Sequence, residues 1–152
     1  MVVEASAAGM VVCALIVLVA AWVRRRFVVV TIVGRSMEPT FVQGDRVLAR
    51  RVSLDHVASG DVVVLTSTTG DWIIKRAVAV PGDPIPRNRV PMLASVAEAV
   101  VPPKRLVLLG DGAQSIDSRH LGYFDAGQLV GVVVRRLGHR TWAPAQQPAR
   151  TS

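Results

Sequence analysis

Between Glu4 and Arg24 the chain runs for nineteen residues without a charge, most of them Val, Ala, Leu and Ile. As a helix this stretch extends about 28 Å, close to the thickness of a bilayer's hydrocarbon core. A cleavable signal peptide would carry positive charge before the apolar run and a small-residue cleavage site after it. Here the order is reversed, with Glu4 before and Arg24, Arg25 and Arg26 after. The sequence therefore predicts a retained, single-span transmembrane anchor over residues 1–26, with the lipid bilayer as a partner. Taken alone, the positive-inside rule puts the arginine cluster and all that follows on the cytoplasmic side.

Beyond the anchor the composition is rich in Val and poor in aromatics, which favours strands. Residues 27–33 form an apolar, β-branched run; a turn-like Gly34-Arg35-Ser36-Met37-Glu38-Pro39 follows, then residues 45–52 with apolar and basic side chains alternating. Further strands are expected at 61–66, 72–80, 105–109 and 128–137. Gly-Asp pairs at 44–45, 60–61, 70–71, 82–83 and 110–111 open or close these runs, as turns require. The expectation is a mainly β fold: a small antiparallel β domain over residues 27–137, one transmembrane helix before it and a disordered Pro- and Gln-rich tail at 138–152. Residues 81–91, with their prolines, read as an irregular loop, and 92–100 as a short helix.

A formal charge of +7 raises the question of nucleic acid. The arginines are mostly scattered in ones and twos, without a basic helix or an aromatic-interleaved patch, so no nucleic-acid role is expected. Cys13 has no partner for a disulfide or a thiolate metal site, and His56, His120 and His139 lack ligand spacing. No metal or cofactor is predicted, and the sequence carries no signal for oligomeric state.

Three segments carry chemistry. Ser36 sits in a loop at the end of a predicted strand, where a lone serine most often bonds its own backbone. Lys75 is one of only two lysines and lies in the apolar Trp72-Ile73-Ile74-Lys75-Arg76-Ala77-Val78. Alternation gives Lys75 and Arg76 opposite faces. A lysine on an apolar face either snorkels to solvent or loses its charge, because burial favours the neutral amine. A neutral amine can take a serine's proton, replacing imidazole as the base. The third segment, Gly110 to Arg119 followed by Gly122-Tyr123-Phe124, is a dense polar run after an apolar strand; in isolation it is a turn with a weak Asp117–Arg119 surface pair.

In this order, Ser36-Met37-Glu38-Pro39-Thr40, then Lys75-Arg76 with Pro81-Gly82-Asp83, then Gly110-Asp111 and Ser115-Ile116-Asp117-Ser118-Arg119, the chain resembles the signal peptidase I family of serine–lysine peptidases. The resemblance implies that Ser36 is the nucleophile and Lys75 the general base, with an acyl-enzyme between them and product. It implies that Ser115 orients the amine, that Asp117 and Arg119 brace the region, and that the Ser36 backbone N–H is an oxyanion donor. Some members add a serine hydroxyl two positions before the nucleophile, where this chain has Gly34. Gly112 stands where the family usually has Asn, the stretch to Ser115 is one residue short, and the extra β region of larger members is absent. The implied substrates are the signal peptides of exported preproteins, cut after small residues, at a bacterial plasma membrane with the catalytic domain outside. That side is opposite to the one the arginines favour. Val33, Met37 and Pro39 are candidate substrate contacts, and residues 27–33 a strand edge to which an extended peptide adds.

Three other readings compete. A self-cleaving repressor shares the serine–lysine logic but carries a DNA-binding domain where this chain has its apolar run. A processing peptidase dedicated to one or a few secreted substrates fits the small size. A non-catalytic, membrane-tethered β module accounts for the charge but not for the three segments together.

Overall fold

The computed structural model describes residues 2–139, with the side chains of residues 9–138. Helix α1 (Val2–Arg26) passes directly into strand β1 (Phe27–Thr31). There follow β2 (Asp45–Arg50), β3 (Val62–Thr66), β4 (Trp72–Ala79), β5 (Arg105–Leu109), the single-turn helix α2 (Ser118–Leu121), β6 (Phe124–Asp125) and β7 (Leu129–His139). The seven strands make one sheet in the order β1-β2-β7-β3-β4-β5-β6, and every pairing is antiparallel. The mainly β, antiparallel expectation therefore holds.

Long β7 joins the two halves of the sheet, pairing with β2 along one edge and β3 along the other. Register shifts in both ladders bend it, and bulges of this kind raise the local twist. Valine dominates β1 and β3 because a branched side chain packs well on a pleated surface. One apolar cluster gathers Val30, Ile32, Met37, Phe41, Val47 and Val64; a second gathers Val63, Leu65, Ala77, Leu106 and Leu108. A third, with Ile85, Val90, Leu93, Val101 and Val107, fills the space under the loop between β4 and β5.

The Gly-Asp pairs repeat one device. At 44–45, 60–61 and 82–83 the glycine takes a positive φ of 91°, 99° and 89°, and the aspartate accepts the N–H three residues earlier, from Val42, Ala58 and Val80. Each closes a turn with a side chain that supplies the missing acceptor.

Several boundaries differ from expectation. β1 and β2 stop at Thr31 and Arg50, although Ile32 still exchanges backbone bonds with Asp45 and Gly44 before Gly34 turns the chain away. Residues 92–100 do not form an α-helix: one 3-10 turn, Pro91–Leu93, is followed by turns and a bridge from Val100 to Pro84. Arg87 takes the carbonyls of Val96, which a helix would use internally, and of Glu98. β7 continues through Gly138 to His139, while the rest of the expected tail, 140–152, lies outside the described residues. α2 and β6 are too short for periodicity to reveal.

Among the described residues no helix is long and apolar enough to cross a membrane. The described side chains of α1 begin only at Gly9 and end on Arg24, Arg25 and Arg26. Its large apolar side chains from Met10 to Val23 are 42–68% exposed, so this helix finds no apolar cover on the β domain.

Candidate active site

The nucleophile candidate stands where β1 gives way to the turn. Gly34 adopts φ +84°, a conformation only glycine takes without strain, and the chain reverses there. Met37 then drives its side chain into the first core cluster at 1% exposure, worth about 2–3 kcal/mol of apolar burial. With Met37 sunk in the core, Ser36 is held at the surface of the sheet, half-buried. Backbone bonds tighten the turn: Glu38 N–H to Arg35 O, and Phe41 N–H to Met37 O. Arg136 reaches the Thr40 carbonyl, and its guanidinium lies 5.0 Å over the Phe41 ring while pairing with buried Asp45 at 3.3 Å.

Lys75 comes from β4, opposite Val63 of β3, and is only 6% exposed. Its Nζ donates to Ser115 Oγ at 2.6 Å in a buried bond. Burial lowers its pKa from the ordinary 10.5, Asp117 works against that fall and Arg119 adds to it. Burial acts on the charged form because an ammonium loses its hydration in the interior. Ser36 and Lys75 are walls of one cavity of about 70 Å³, which Thr31, Ile32, Val33, Trp72, Ile73 and Ile74 complete. Among the described residues no hydrogen bond joins the two; they face the same space.

Ser115 is itself set by Asp117. That carboxylate is fully buried and accepts from the Gly110 N–H at 2.8 Å, the Arg119 N–H at 3.1 Å, and Arg119 Nε and NH2 at 3.0 and 2.7 Å. Burial alone would raise its pKa; the bonds from Arg119, Gly110 and Ser115 override it and hold the carboxyl at about 2. Asp117 also caps α2, whose Ser118 Oγ accepts the Leu108 N–H. With Asp117 fully buried and Arg119 partly exposed, the pair ties the polar loop to the end of β5, as the resemblance implies and unlike the surface pair the segment suggests in isolation.

Sequence reasoning missed a second brace. It took Gly110-Asp111 as one more turn, but Asp111 accepts from Arg76 Nε at 2.9 Å and NH2 at 2.6 Å, and from Thr40 Oγ1 at 2.5 Å. One carboxylate joins β4, the Ser36 loop and the loop after β5, and the bidentate arginine fixes its direction. Nothing in the sequence separates Gly110 from the other Gly-Asp glycines; in the folded chain it stands apart by carrying no positive φ. Its role is close approach: a Cβ there would lie 2.1 Å from Ser115 Oγ and 2.4 Å from Ser36 O. At Gly112 a Cβ would lie 2.5 Å from Arg35 O, and the Gly112 N–H donates to Ser36 O at 2.9 Å. The glycine that replaces an expected Asn is thus what lets the two loops touch.

The substrate candidates separate. Val33, 80% exposed, and buried Met37 line the Ser36–Lys75 cavity, Met37 chiefly as core. Pro39 lies instead in a different groove with Arg35, Glu38, Gly112, Ala113 and Gln114. Trp72, Ile73, Ile74 and Ile32 are cavity walls that the sequence did not single out.

A loop hydroxyl and a buried, charge-disfavoured amine thus line one small cavity on an antiparallel β scaffold. Comparison with known proteins identifies the family. The family described as Signal peptidase, peptidase S26 matches residues 5–90, a span that includes Ser36 and Lys75. The chain is similar to Signal peptidase IB of Staphylococcus aureus (strain COL), 28% identical over 144 residues that span 70% of this chain and 75% of that protein. It is also similar to Signal peptidase I of Bacillus caldolyticus, 26% identical over 133 residues, 66% of this chain and 73% of that protein. This chain belongs to the signal peptidase S26 family and is a hydrolase of the signal peptidase I type.

Proposed function

We propose that the chain is a membrane-bound serine endopeptidase that removes signal peptides from exported preproteins, using Ser36 and Lys75. The observation that carries this reading is the buried Lys75 amine, bonded to Ser115 and sharing a cavity with Ser36. As a neutral base it takes the Ser36 proton while Oγ attacks the scissile carbonyl. The resulting ammonium then protonates the departing amine. In the second half Lys75 takes a proton from water, whose oxygen attacks the acyl-enzyme, and returns it to Ser36 as the acid product leaves. The Ser36 backbone N–H faces the oxyanion; Gly34 contributes no side-chain donor, so any second donor comes from elsewhere. Ser115 orients the amine, and Asp117 with Arg119 positions Ser115.

The cavity is small and walled by Ile32, Val33, Ile73 and Ile74, which suits an alanine methyl and excludes larger side chains. Residues 5–23 supply the anchor: nineteen uncharged residues whose described apolar side chains stand exposed. With α1 in the bacterial plasma membrane and the β domain on the outer side, the cavity stays within reach of signal peptides in the same bilayer.

The test uses full-length protein in detergent and an Ala-X-Ala signal-peptide substrate, comparing wild type with Ser36→Ala and Lys75→Ala, each checked for folding. Cleavage by wild type alone, with acylation of Ser36 by a mechanism-based inhibitor, is the expected result. Equal behaviour of all three proteins defeats the serine–lysine mechanism; inhibitor acylation without cleavage of this substrate directs the search to a dedicated one.

A further inference from the structure

Five exposed arginines crowd the junction of helix and sheet, and the catalytic machinery uses none of them. Arg24, Arg25 and Arg26 form the last turn of α1; Arg50 and Arg51 close β2 beside them. The register places Arg50 opposite Phe27, and the Arg51 N–H donates to the Arg26 carbonyl at 2.8 Å. Two segments distant in sequence are thereby brought together with like charge, which costs energy unless something negative lies between them. Among the described residues none of the five has a carboxylate partner. A helix C-terminus attracts cations and accounts for the first three, but it gives no reason for Arg50 and Arg51, which belong to a strand and its end.

We propose that this collar binds the headgroup phosphates of anionic phospholipids. The inference rests on the membrane-anchor reading of α1. Three observations converge on this partner. The collar lies where the exposed apolar side chains of α1 end, the depth at which a spanning helix meets headgroups. Trp22 sits there too, with the Arg26 guanidinium 5.8 Å from its ring centre, and tryptophan favours that same interface. All five cations are arginine, whose planar fork matches phosphate oxygens in pairs. The chain joins α1 to β1 without a linker, so a collar fixed at the headgroups also fixes the sheet. Ile32 at the cavity is then at most about 20 Å of chain from Arg26. Binding headgroups also gives the cluster a role compatible with a β domain on the outer side.

The experiment uses the full chain in vesicles of equal phosphatidylcholine and phosphatidylglycerol, followed by mild detergent extraction and native mass spectrometry of retained lipids. Wild type is expected to keep phosphatidylglycerol in preference to phosphatidylcholine. The double variant Arg50→Gln/Arg51→Gln should lower that preference at least about five-fold, the share of one arginine near a charged surface. Arg50→Lys/Arg51→Lys, which keeps the charge but not the paired contacts, should fall between wild type and the glutamine variant, and cleavage of a soluble peptide should be unchanged in both as a check of the fold. Equal retention of the two lipids by wild type, or an unchanged preference in the glutamine variant, overturns the proposal. Flotation with vesicles of phosphatidylcholine alone separates the two readings: a chain that fails to float defeats anchor and collar together, whereas one that floats without lipid preference defeats only the collar.

Discussion

Replacing Asp117 by asparagine isolates the energy stored in the brace behind Ser115. The carboxyl falls from an ordinary 3.8 to about 2 in the folded chain, a difference of about 2 kcal/mol between the two protonation states. Because the folded value is the lower one, the unfolded chain binds more protons between pH 4 and pH 2, so stability rises with pH across that window. The contribution is fully present above about pH 4 and is lost as pH falls through about 2. The asparagine side chain cannot titrate, and it leaves Arg119, 32% exposed, without its charged partner, a loss of about 1.5–3 kcal/mol for the charge-assisted bonds at neutral pH. The gap in unfolding free energy between wild type and Asp117→Asn should therefore narrow by about 2 kcal/mol between pH 5 and pH 2. Urea unfolding of both full-length proteins in a nonionic detergent, followed by tryptophan fluorescence at a series of pH values, measures that gap. A gap that stays constant from pH 5 to pH 2 would show that Asp117 is not held ionised, and the electrostatic account of the brace would fall.

Three further outcomes follow from the same geometry. The proposed mechanism needs the neutral amine of Lys75, so kcat/KM should rise with pH through one ionisation below 10.5 and vanish as pH falls beneath it; a profile set by a group at 10.5 counts against a buried base. Ser115→Ala removes the acceptor 2.6 Å from Nζ and should lower kcat roughly 10–100-fold with KM little changed, whereas a rise in KM alone would assign Ser115 to substrate binding. Gly110→Ala should cost about 1–3 kcal/mol in thermal unfolding and most of the activity. Its Cβ meets Ser115 and the Ser36 backbone; Gly60→Ala, open but at φ +99°, should lose stability and keep kcat.

The candidate site was not legible in any one segment, where a turn serine and a snorkelling lysine are the plainer readings. Ser36 and Lys75 stood out only through the joint order of three segments that resembles the signal peptidase I family, and the folded chain brings both to one cavity. Apolar, β-branched runs bounded by turn residues located the longer strands. The Asp111 bridge was not legible, because its partners Arg76 and Thr40 lie 35 and 71 residues away and only the folded sheet brings them together. Gly110 looked like turn punctuation and Gly112 like a mere departure from the family for the same reason: a Cβ at Gly110 would strike the Ser115 side chain and Ser36 O, and one at Gly112 would strike Arg35 O, contacts invisible in the sequence between them. The failed helix at 92–100 shows another limit. Its carbonyls are claimed by Arg87, a side-chain contact that overrides local propensity.

The two braces explain how a domain this small can hold a buried amine. Keeping Lys75 away from water costs stability, and the cost grows whenever the amine takes a proton. The proposed mechanism requires that it does so briefly in every cycle. Asp117 sits close enough to temper that charge, as its opposing effect on the Lys75 pKa shows, yet its own oxygens are occupied by Arg119 and the Gly110 backbone, so it does not take the proton away. Asp111 performs the complementary task for Arg76, keeping the neighbouring cation engaged with a carboxylate and the Gly60 carbonyl. Adjacent basic residues on one strand thus meet opposite fates: one is neutralised by pairing and fixes the fold, the other is left to burial and a single hydroxyl. Exchanging those surroundings would exchange their chemistry, which is why the two loops must meet backbone to backbone at glycines that leave no room for side chains.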